Sequence, residues 1–151
     1  MNTYGLYLKI FLLGCMLTFL PDCYADTIRV SKKLHLIELN KHVYIHTENG
    51  NNGIVYVNDK KAVIISTPEN DEETNNLINY IRKDLKAQII GCIVDRWHPD
   101  AMGGLKTIKK AGIPSYAYEG TRTIAQHRNL PIPEKGFNPR MELIVGKGKL
   151  I

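Results

Sequence analysis

His98 and Asp100 are the residues of this chain whose types and spacing best suit catalytic chemistry. They lie two positions apart in the segment Asp95–Gly104, which reads Asp-Arg-Trp-His-Pro-Asp-Ala-Met-Gly-Gly. In an extended loop, side chains two residues apart point the same way. An imidazole and a carboxylate that converge suit a borderline cation such as zinc. Taken alone the pattern is weak, because a solvated histidine beside a helix-capping aspartate gives the same letters.

This segment lies between a predicted strand and a predicted helix. Gln88–Val94 is almost entirely apolar, which is typical of a strand covered on both faces. A helix is predicted from about Ala101 to Ala111, with Gly112 as its stop and Pro114 beyond it. Since α/β sheets usually place ligands at the carboxyl ends of their strands, this position favours a functional site.

Gly103 and Gly104 fall in the first turn of that predicted helix. Each glycine there costs about 1 kcal/mol relative to alanine. We therefore expect the backbone at these two positions to approach a neighbouring element or the site itself closely.

The remaining pattern predicts a mixed α/β fold. Strands are predicted at 34–39, 43–47, 54–57 and 62–65, joined as an antiparallel meander with a turn at 49–53. Asn70 is predicted to cap a helix, with Glu73 reaching back to it and an apolar stripe at Leu77, Ile81 and Leu85. Further predictions are a strand at 115–118, a helix at 121–128, an extended linker at 130–133 and hairpin strands at 141–145 and 149–151.

From Gly53 to about Gly146 the sequence resembles the N-terminal half of class B metallo-β-lactamases, of the dinuclear-zinc subclass. The resemblance is carried by Ile-Ile-Ser-Thr-Pro at 64–68, Trp-His-Pro-Asp-Ala-Met-Gly-Gly-Leu at 97–105, Ala-Gly-Ile-Pro-Ser-Tyr-Ala at 111–117 and Asn-Leu-Pro-Ile-Pro-Glu-Lys-Gly-Phe at 129–137. It implies an αββα sandwich, of which this chain supplies about the first half. It also implies hydrolysis of small-molecule β-lactams, and hence antibiotic resistance, with one or two zinc ions at one edge of the fold.

The family motif is His-x-His-x-Asp, with further ligands in the second half of the domain. The resemblance makes His98 the second histidine and Asp100 the carboxylate of the second metal, and it implies no catalytic residue beyond metal ligands. Arg96 occupies the position of the first histidine. A guanidinium has no lone pair to donate and stays protonated, so it cannot ligate zinc. We therefore expect zinc binding to be weak or absent and activity to be impaired.

Four further residues are expected to support the site. Gly103 and Gly104 keep the family pattern, and the other two depart from it. Ser66 stands where the family commonly has an aspartate, and Asp95 where it usually has a threonine. The segment between Thr47 and Ile54 is a tight turn, whereas the family generally has a flap that closes over substrate. Two alternatives stay open: a hydrolase of the same superfamily that acts on other substrates, and a non-catalytic remnant.

Residues 1–25 are predicted to be a signal peptide, with Lys9, an apolar run at 10–20 and cleavage after Ala25. This predicts a periplasmic or secreted protein that leaves the membrane after cleavage. A lipid anchor at Cys15 is the alternative. The net charge is +5, but the basic residues are not interleaved with aromatic ones. The sequence therefore gives no reason to expect nucleic-acid binding.

The mature segment 26–151 is the predicted half-domain. Cys92 is its one thiol and is expected in the core, and the four histidines outside the motif are expected at the surface or locally satisfied. A sandwich buries its middle only when both sheets are present. Because the sequence given stops in a predicted strand, we expect a truncated product with an exposed inner sheet face that can self-associate.

Overall fold

The computed structural model describes residues 26–151. The predicted signal peptide, its cleavage site and Cys15 lie outside the described residues. Within 26–151, no helix is both long and apolar enough to cross a membrane.

Ten strands and four helices make up the described part of the chain. The strands are β1 Thr27–Arg29, β2 His35–Asn40, β3 Val43–Glu48, β4 Asn51–Asn58, β5 Lys61–Ile65, β6 Gln88–Val94, β7 Ser115–Tyr118, β8 Lys135–Phe137, β9 Leu143–Val145 and β10 Gly148–Leu150. The helices are α1 Asp71–Lys83, α2 Pro99–Met102, α3 Leu105–Lys110 and α4 Glu119–His127.

The first eight strands form one sheet in strict chain order, from β1 to β8. Strands β1 to β5 pair antiparallel, and β5 to β8 pair parallel. Strands β9 and β10 form a separate antiparallel hairpin. The predicted mixed α/β fold and its meander are therefore confirmed, and β1 and β8 are additions that were too short to leave a pattern.

The turn between β3 and β4 is shorter than predicted. It consists of Asn49 and Gly50, with φ of 50° and 84°, and β4 begins at Asn51 rather than at Ile54. Positive φ at both central residues is the geometry that two-residue hairpins prefer, and an Asn-Gly pair adopts it readily. The prediction of a five-residue turn at 49–53 was wrong.

Helix α1 begins as predicted but is held differently. The Asn70 side chain accepts a hydrogen bond from the Glu73 amide at 2.9 Å. The Glu73 carboxylate does not reach back as predicted; it accepts from Ser31 at 2.6 Å and from Asn76 at 3.1 Å instead. The predicted apolar stripe is confirmed for Leu77 and Ile81, which are buried together with Ile78 beside them. Leu85 was also predicted on the stripe, but it lies beyond the end of α1 and packs on the same core while partly buried.

The helix predicted over 101–111 is broken in two. Helix α2 ends at Met102 and α3 begins at Leu105, with Gly103 and Gly104 between them. Glycine lowers helix stability, so a break at this pair is physically reasonable. Gly112 ends α3 with φ of 70°, as a C-terminal glycine usually does.

One face of the large sheet is only partly covered. Cross-strand partners form an apolar row that runs through Ile37, Ile45, Ile54, Ile65, Ile93 and Tyr116. None of these six side chains is buried, and Ile54 is 38% exposed. The β9–β10 hairpin lies against this face, where the Lys147 amide donates to Asn58 Oδ1 at 3.3 Å. The face therefore still presents apolar surface to solvent.

Beside the hairpin, the same face carries a cavity of about 680 Å³. Residues of the sheet, of the hairpin and of the segment between them line it: Ile65, Ile93, Phe137, Pro139, Arg140, Met141, Leu150 and Ile151. On the opposite face, the side chain of Cys92 is fully buried, and burial raises the pKa of its thiol to about 12. The prediction of a core cysteine is therefore confirmed.

Candidate functional site

The candidate site lies where β5 and β6 end, side by side. These strands are parallel neighbours, so their carboxyl ends meet at the same edge. Ser66 follows β5 and Asp95 follows β6. The Ser66 amide donates to the Ile93 carbonyl at 2.8 Å, and its hydroxyl donates to Asp95 Oδ1 at 2.5 Å. The structure thus joins two of the predicted supporting residues directly.

Ser66 is held in an uncommon conformation. Its φ is 62°, and only 2% of the residue is exposed. For a residue other than glycine this left-handed region costs free energy and persists only when the surroundings fix it. His46 is one such fixing group, since its Nε2 donates to the Ser66 carbonyl at 2.9 Å.

His46 is a buried, neutral imidazole beneath the site. It is 2% exposed, and burial lowers its pKa from 6.5 to about 4, although hydrogen bonds to backbone carbonyls oppose that shift. A neutral ring with its proton on Nε2 satisfies the Ser66 carbonyl without introducing a charge. The prediction that His46 is surface or locally satisfied is confirmed in its second form.

Arg96 makes ion pairs with both nearby aspartates. Its Nη1 donates to Asp95 Oδ2 at 2.8 Å, and its Nη2 donates to Asp100 Oδ2. The three side chains are 35%, 44% and 24% exposed in the order Arg96, Asp95 and Asp100. These contacts raise the pKa of the guanidinium, and its hydrogen bond to Asp100 contributes most. Arg96 is therefore firmly cationic and is the positive charge that lies between the two aspartates.

His98 lies at the N-cap position of α2, and its carbonyl accepts from the Ala101 amide at 3.0 Å. Its exposed imidazole packs against Trp97, with 4.2 Å between ring centroids and 56° between the ring planes. The Arg128 guanidinium lies over the Trp97 ring, 4.0 Å from its centroid. Trp97 therefore packs between the His98 imidazole and the Arg128 guanidinium and limits the orientation of His98.

The expected extended geometry of His98 and Asp100 was wrong. His98 has an extended backbone, but Asp100 already belongs to the first turn of α2. Residues 98 and 100 consequently do not follow the alternation of a strand. The carboxylate of Asp100 turns towards Arg96 instead.

The residues present do not fit a closed zinc site. Among residues 26–151, no cluster of three or more His, Cys, Asp or Glu side chains could hold a metal ion. Of the two predicted ligands, Asp100 is engaged by a guanidinium that cannot coordinate a cation. That His98 and Asp100 act as ligands stays a prediction.

Gly103 and Gly104 meet the expectation of close approach. A β-carbon on Gly103 would overlap the backbone carbonyl of Glu69, and one on Gly104 would overlap the Thr74 side chain. The Gly104 amide donates to Thr67 Oγ1 at 2.9 Å. The two glycines thus let the junction of α2 and α3 lie directly on the segment that follows β5.

The short β3–β4 turn is tied to that same segment. Glu48, 2% exposed, accepts from the Glu69 amide at 3.0 Å and from Asn70 Nδ2 at 2.9 Å. Burial raises the pKa of the Glu48 carboxyl. Both Asn49 and Asn51 donate to the Glu69 carboxylate. These hydrogen bonds hold the turn down at the position where the family resemblance implies a flexible flap.

Sequence reasoning missed the supporting roles of His46, Glu48 and Thr67. The first two alternate with Tyr44 along β3, and all three side chains of that set are buried. Alternation in a strand predicts that side chains at 44, 46 and 48 share one face. That pattern was the available signal for His46 and Glu48, whereas nothing local indicates the bond from Gly104 to Thr67.

Comparison with curated proteins identifies relatives of one kind, although no family model matches the chain. The metallo-β-lactamase type 2 of Bacteroides fragilis is 29% identical over 137 residues, which include 85% of this chain and 55% of that protein. The metallo-β-lactamase type 2 of Bacillus cereus is 30% identical over 108 residues, with 66% and 42% covered. The chain therefore spans about half the length of the curated relatives it matches.

Solved structures show the same likeness in three dimensions. A metallo-β-lactamase from Pontibacter korlensis superposes with a TM-score of 0.71 at 25% identity, covering 78% of this chain and 58% of that one. A metallo-β-lactamase from Erythrobacter litoralis gives 0.70 at 23% identity, covering 75% and 53%, and shows the fold alone. In sequence and in fold, the described part of this chain is similar to the N-terminal portion of the class B metallo-β-lactamases.

Proposed function

We propose that this chain is the N-terminal portion of a zinc-dependent, β-lactamase-like hydrolase, and that Arg96 impairs its zinc binding. The relatives named metallo-β-lactamase support the reaction class. The ion pair between Arg96 and Asp100 carries the proposal of impairment, because it places a fixed positive charge on a predicted metal ligand. β-Lactam amide hydrolysis is the proposed ancestral reaction, with His98 and Asp100 as the ligands that this chain contributes.

The size of the impairment follows from ligand count. Complete four-ligand zinc sites contribute on the order of 10–16 kcal/mol, so one missing ligand costs about 3 kcal/mol, or about a hundredfold in affinity. Charge repulsion from Arg96 adds to that loss. We therefore propose that the chain of 151 residues binds zinc weakly and has little or no β-lactamase activity by itself.

A second candidate is a hydrolase with a different substrate. The Asn49–Gly50 turn supports it, because hydrogen bonds from Asn49 and Asn51 tie that turn to Glu69. A turn held in this way closes less readily over a bulky β-lactam than a mobile flap. A third candidate, a non-catalytic remnant, is supported by the absence of a three-group metal cluster within residues 26–151.

Nitrocefin hydrolysis by the full chain tests the first candidate. We expect wild-type turnover to equal the buffer background, with or without added zinc. The colour change of nitrocefin when its β-lactam ring opens follows the reaction. We expect Arg96→His to bind zinc more tightly than the wild type in a metal titration, because a third potential ligand then stands beside His98 and Asp100 and the fixed positive charge is gone.

The matched control is Arg29→His, which makes the same exchange at an exposed residue of β1, at the edge of the sheet. It should bind zinc no better than the wild type. If Arg96→His binds zinc no more tightly than the wild type, the proposal that Arg96 impairs zinc binding is contradicted. Turnover of other esters or amides by the wild-type chain would favour the second candidate, and zinc binding by neither protein would favour the third.

We also propose export to the periplasm or the medium, with residues 1–25 as the signal peptide.

A separate proposal is self-association of the mature chain through its open sheet face. The apolar row that includes Ile54 supports it. Size-exclusion chromatography with light scattering should give a mass above one chain. Ile54→Lys should shift it towards the monomer, whereas Ile144→Lys, at a 61% exposed residue of the hairpin, should not. A wild-type monomer at every concentration would contradict self-association.

A further inference from the structure

We infer that Arg96 is a built-in cation of this edge of the sheet, positioned by Asp95 and Ser66, and that it lets segment 95–100 keep its structure without a metal ion. This role of Arg96 does not depend on whether the chain hydrolyses any substrate. Ser66 and Asp95 are the positioning residues for Arg96.

The first step is charge balance. The two carboxylates of Asp95 and Asp100 lie against one guanidinium, which donates through a different terminal nitrogen to each. Without a cation between them, two carboxylates that contact the same group would repel each other. Arginine suits this place because its planar fork presents several N–H donors at fixed angles, whereas a lysine ammonium is a point charge.

The second step concerns what holds Asp95. Its Oδ2 accepts from Arg96, and its Oδ1 accepts from the Ser66 hydroxyl, so each oxygen has its own partner. Ser66 is in turn fixed by the imidazole of His46, which donates to its carbonyl, and by the hydrogen bond that its own backbone amide donates to the Ile93 carbonyl. A continuous chain of hydrogen bonds therefore runs from the buried sheet out to Arg96, and each bond limits the orientation of the next group.

The third step joins sequence to structure. Ser66, Asp95 and Arg96 are the positions near the motif where the sequence departs from the pattern of the family it resembles. The structure brings these same three side chains into one hydrogen-bonded set. In this set a guanidinium supplies the cation that faces the carboxylates.

The expected size of the effect is local. Partly exposed ion pairs contribute little to global stability. They can still hold a short segment in place, because local opening depends only on the contacts of that segment. Hydrogen exchange of residues 95–104 and the fluorescence of Trp97, the one tryptophan in the chain, are therefore suitable readouts.

The experiment uses the full chain and four variants. Asp95→Asn and Ser66→Ala should each speed amide exchange of residues 95–104 by about threefold. Arg96→Lys should give an exchange rate between that of the wild type and those of these two variants. Glu119→Gln is the matched control, because it removes the ion pair to Arg122 on α4 and should leave that segment unchanged. In the wild type, neither EDTA nor added zinc should change the exchange rates or the Trp97 spectrum.

Two outcomes would overturn the inference. One is a wild-type chain whose segment 95–104 becomes slower to exchange on adding zinc, since an internal cation makes that unnecessary. The other is exchange in Asp95→Asn that equals the Glu119→Gln control. If Ser66→Ala fails to fold, Asp95→Asn alone decides, because its substituted side chain is exposed. Neither result depends on nitrocefin turnover, so the proposed function is tested separately.

Discussion

Replacing Gly104 with alanine is expected to lower the free energy of unfolding by about 2–3 kcal/mol, and Gly103→Ala by a similar amount. A β-carbon at 104 would overlap the Thr74 side chain, which is fully buried and cannot move aside freely. A β-carbon at 103 would overlap the Glu69 carbonyl, which belongs to the backbone. Urea unfolding of the full chain, followed by far-ultraviolet circular dichroism, measures the loss.

Gly120→Ala is the matched control. Gly120 lies inside α4, and an added β-carbon would meet only the flexible ring of Tyr118, at 3.0 Å. Alanine is the better helix former, so this change should leave stability unchanged or raise it by up to about 1 kcal/mol. Equal losses at positions 104 and 120 would contradict the close packing described here.

The second large effect is a loss of stability in mild acid that depends on His46. Its pKa is about 4 in the folded chain and 6.5 in its ordinary state. Below pH 6.5 the unfolded chain takes up a proton that the folded chain refuses, so folding is penalised progressively. The contribution is complete above pH 6.5 and is lost by about pH 4. The loss amounts to about 3 kcal/mol, at 1.36 kcal/mol for each unit of pKa difference.

His46→Gln isolates this term. Glutamine can still donate to the Ser66 carbonyl but has no proton to gain, so its stability should vary less between pH 6.5 and 4. Urea midpoints of both proteins across that interval give the comparison. Parallel curves for the wild type and the variant would show that another group causes the acid sensitivity.

The fold could be predicted from the sequence wherever a segment carried its own period. The nearly all-apolar β6 and the stripe of α1 carry such patterns; β6 was predicted with the correct bounds, and the start of α1 was predicted from its cap. Strands β1 and β8 have three residues each, which is too short for any pattern, and they form because a neighbouring edge offers hydrogen bonds. The break between α2 and α3 was not predicted, because Gly103 and Gly104 were interpreted only as sites of close approach and not as the end of a helix.

The site was predictable in its residues but not in its arrangement. His98, Asp100 and Arg96 could be chosen by type and by position after β6. The partner of Arg96 could not, because the i to i+4 pairing with Asp100 depends on the helical turn that starts at Pro99. The Ser66–Asp95 bond joins residues 29 apart in the chain and appears only once β5 and β6 are placed side by side.

The strict chain order of the large sheet has a consequence for how the protein is made. Each strand from β2 to β8 pairs with the strand that precedes it, so most of the sheet forms between chain segments that are close in sequence. The short loops between the antiparallel strands β1 to β5 favour rapid folding, whereas the crossovers between the parallel strands β5 to β8 close longer loops and form more slowly. During synthesis, each strand that leaves the ribosome finds its partner already in place, and the sheet can grow by one strand at a time.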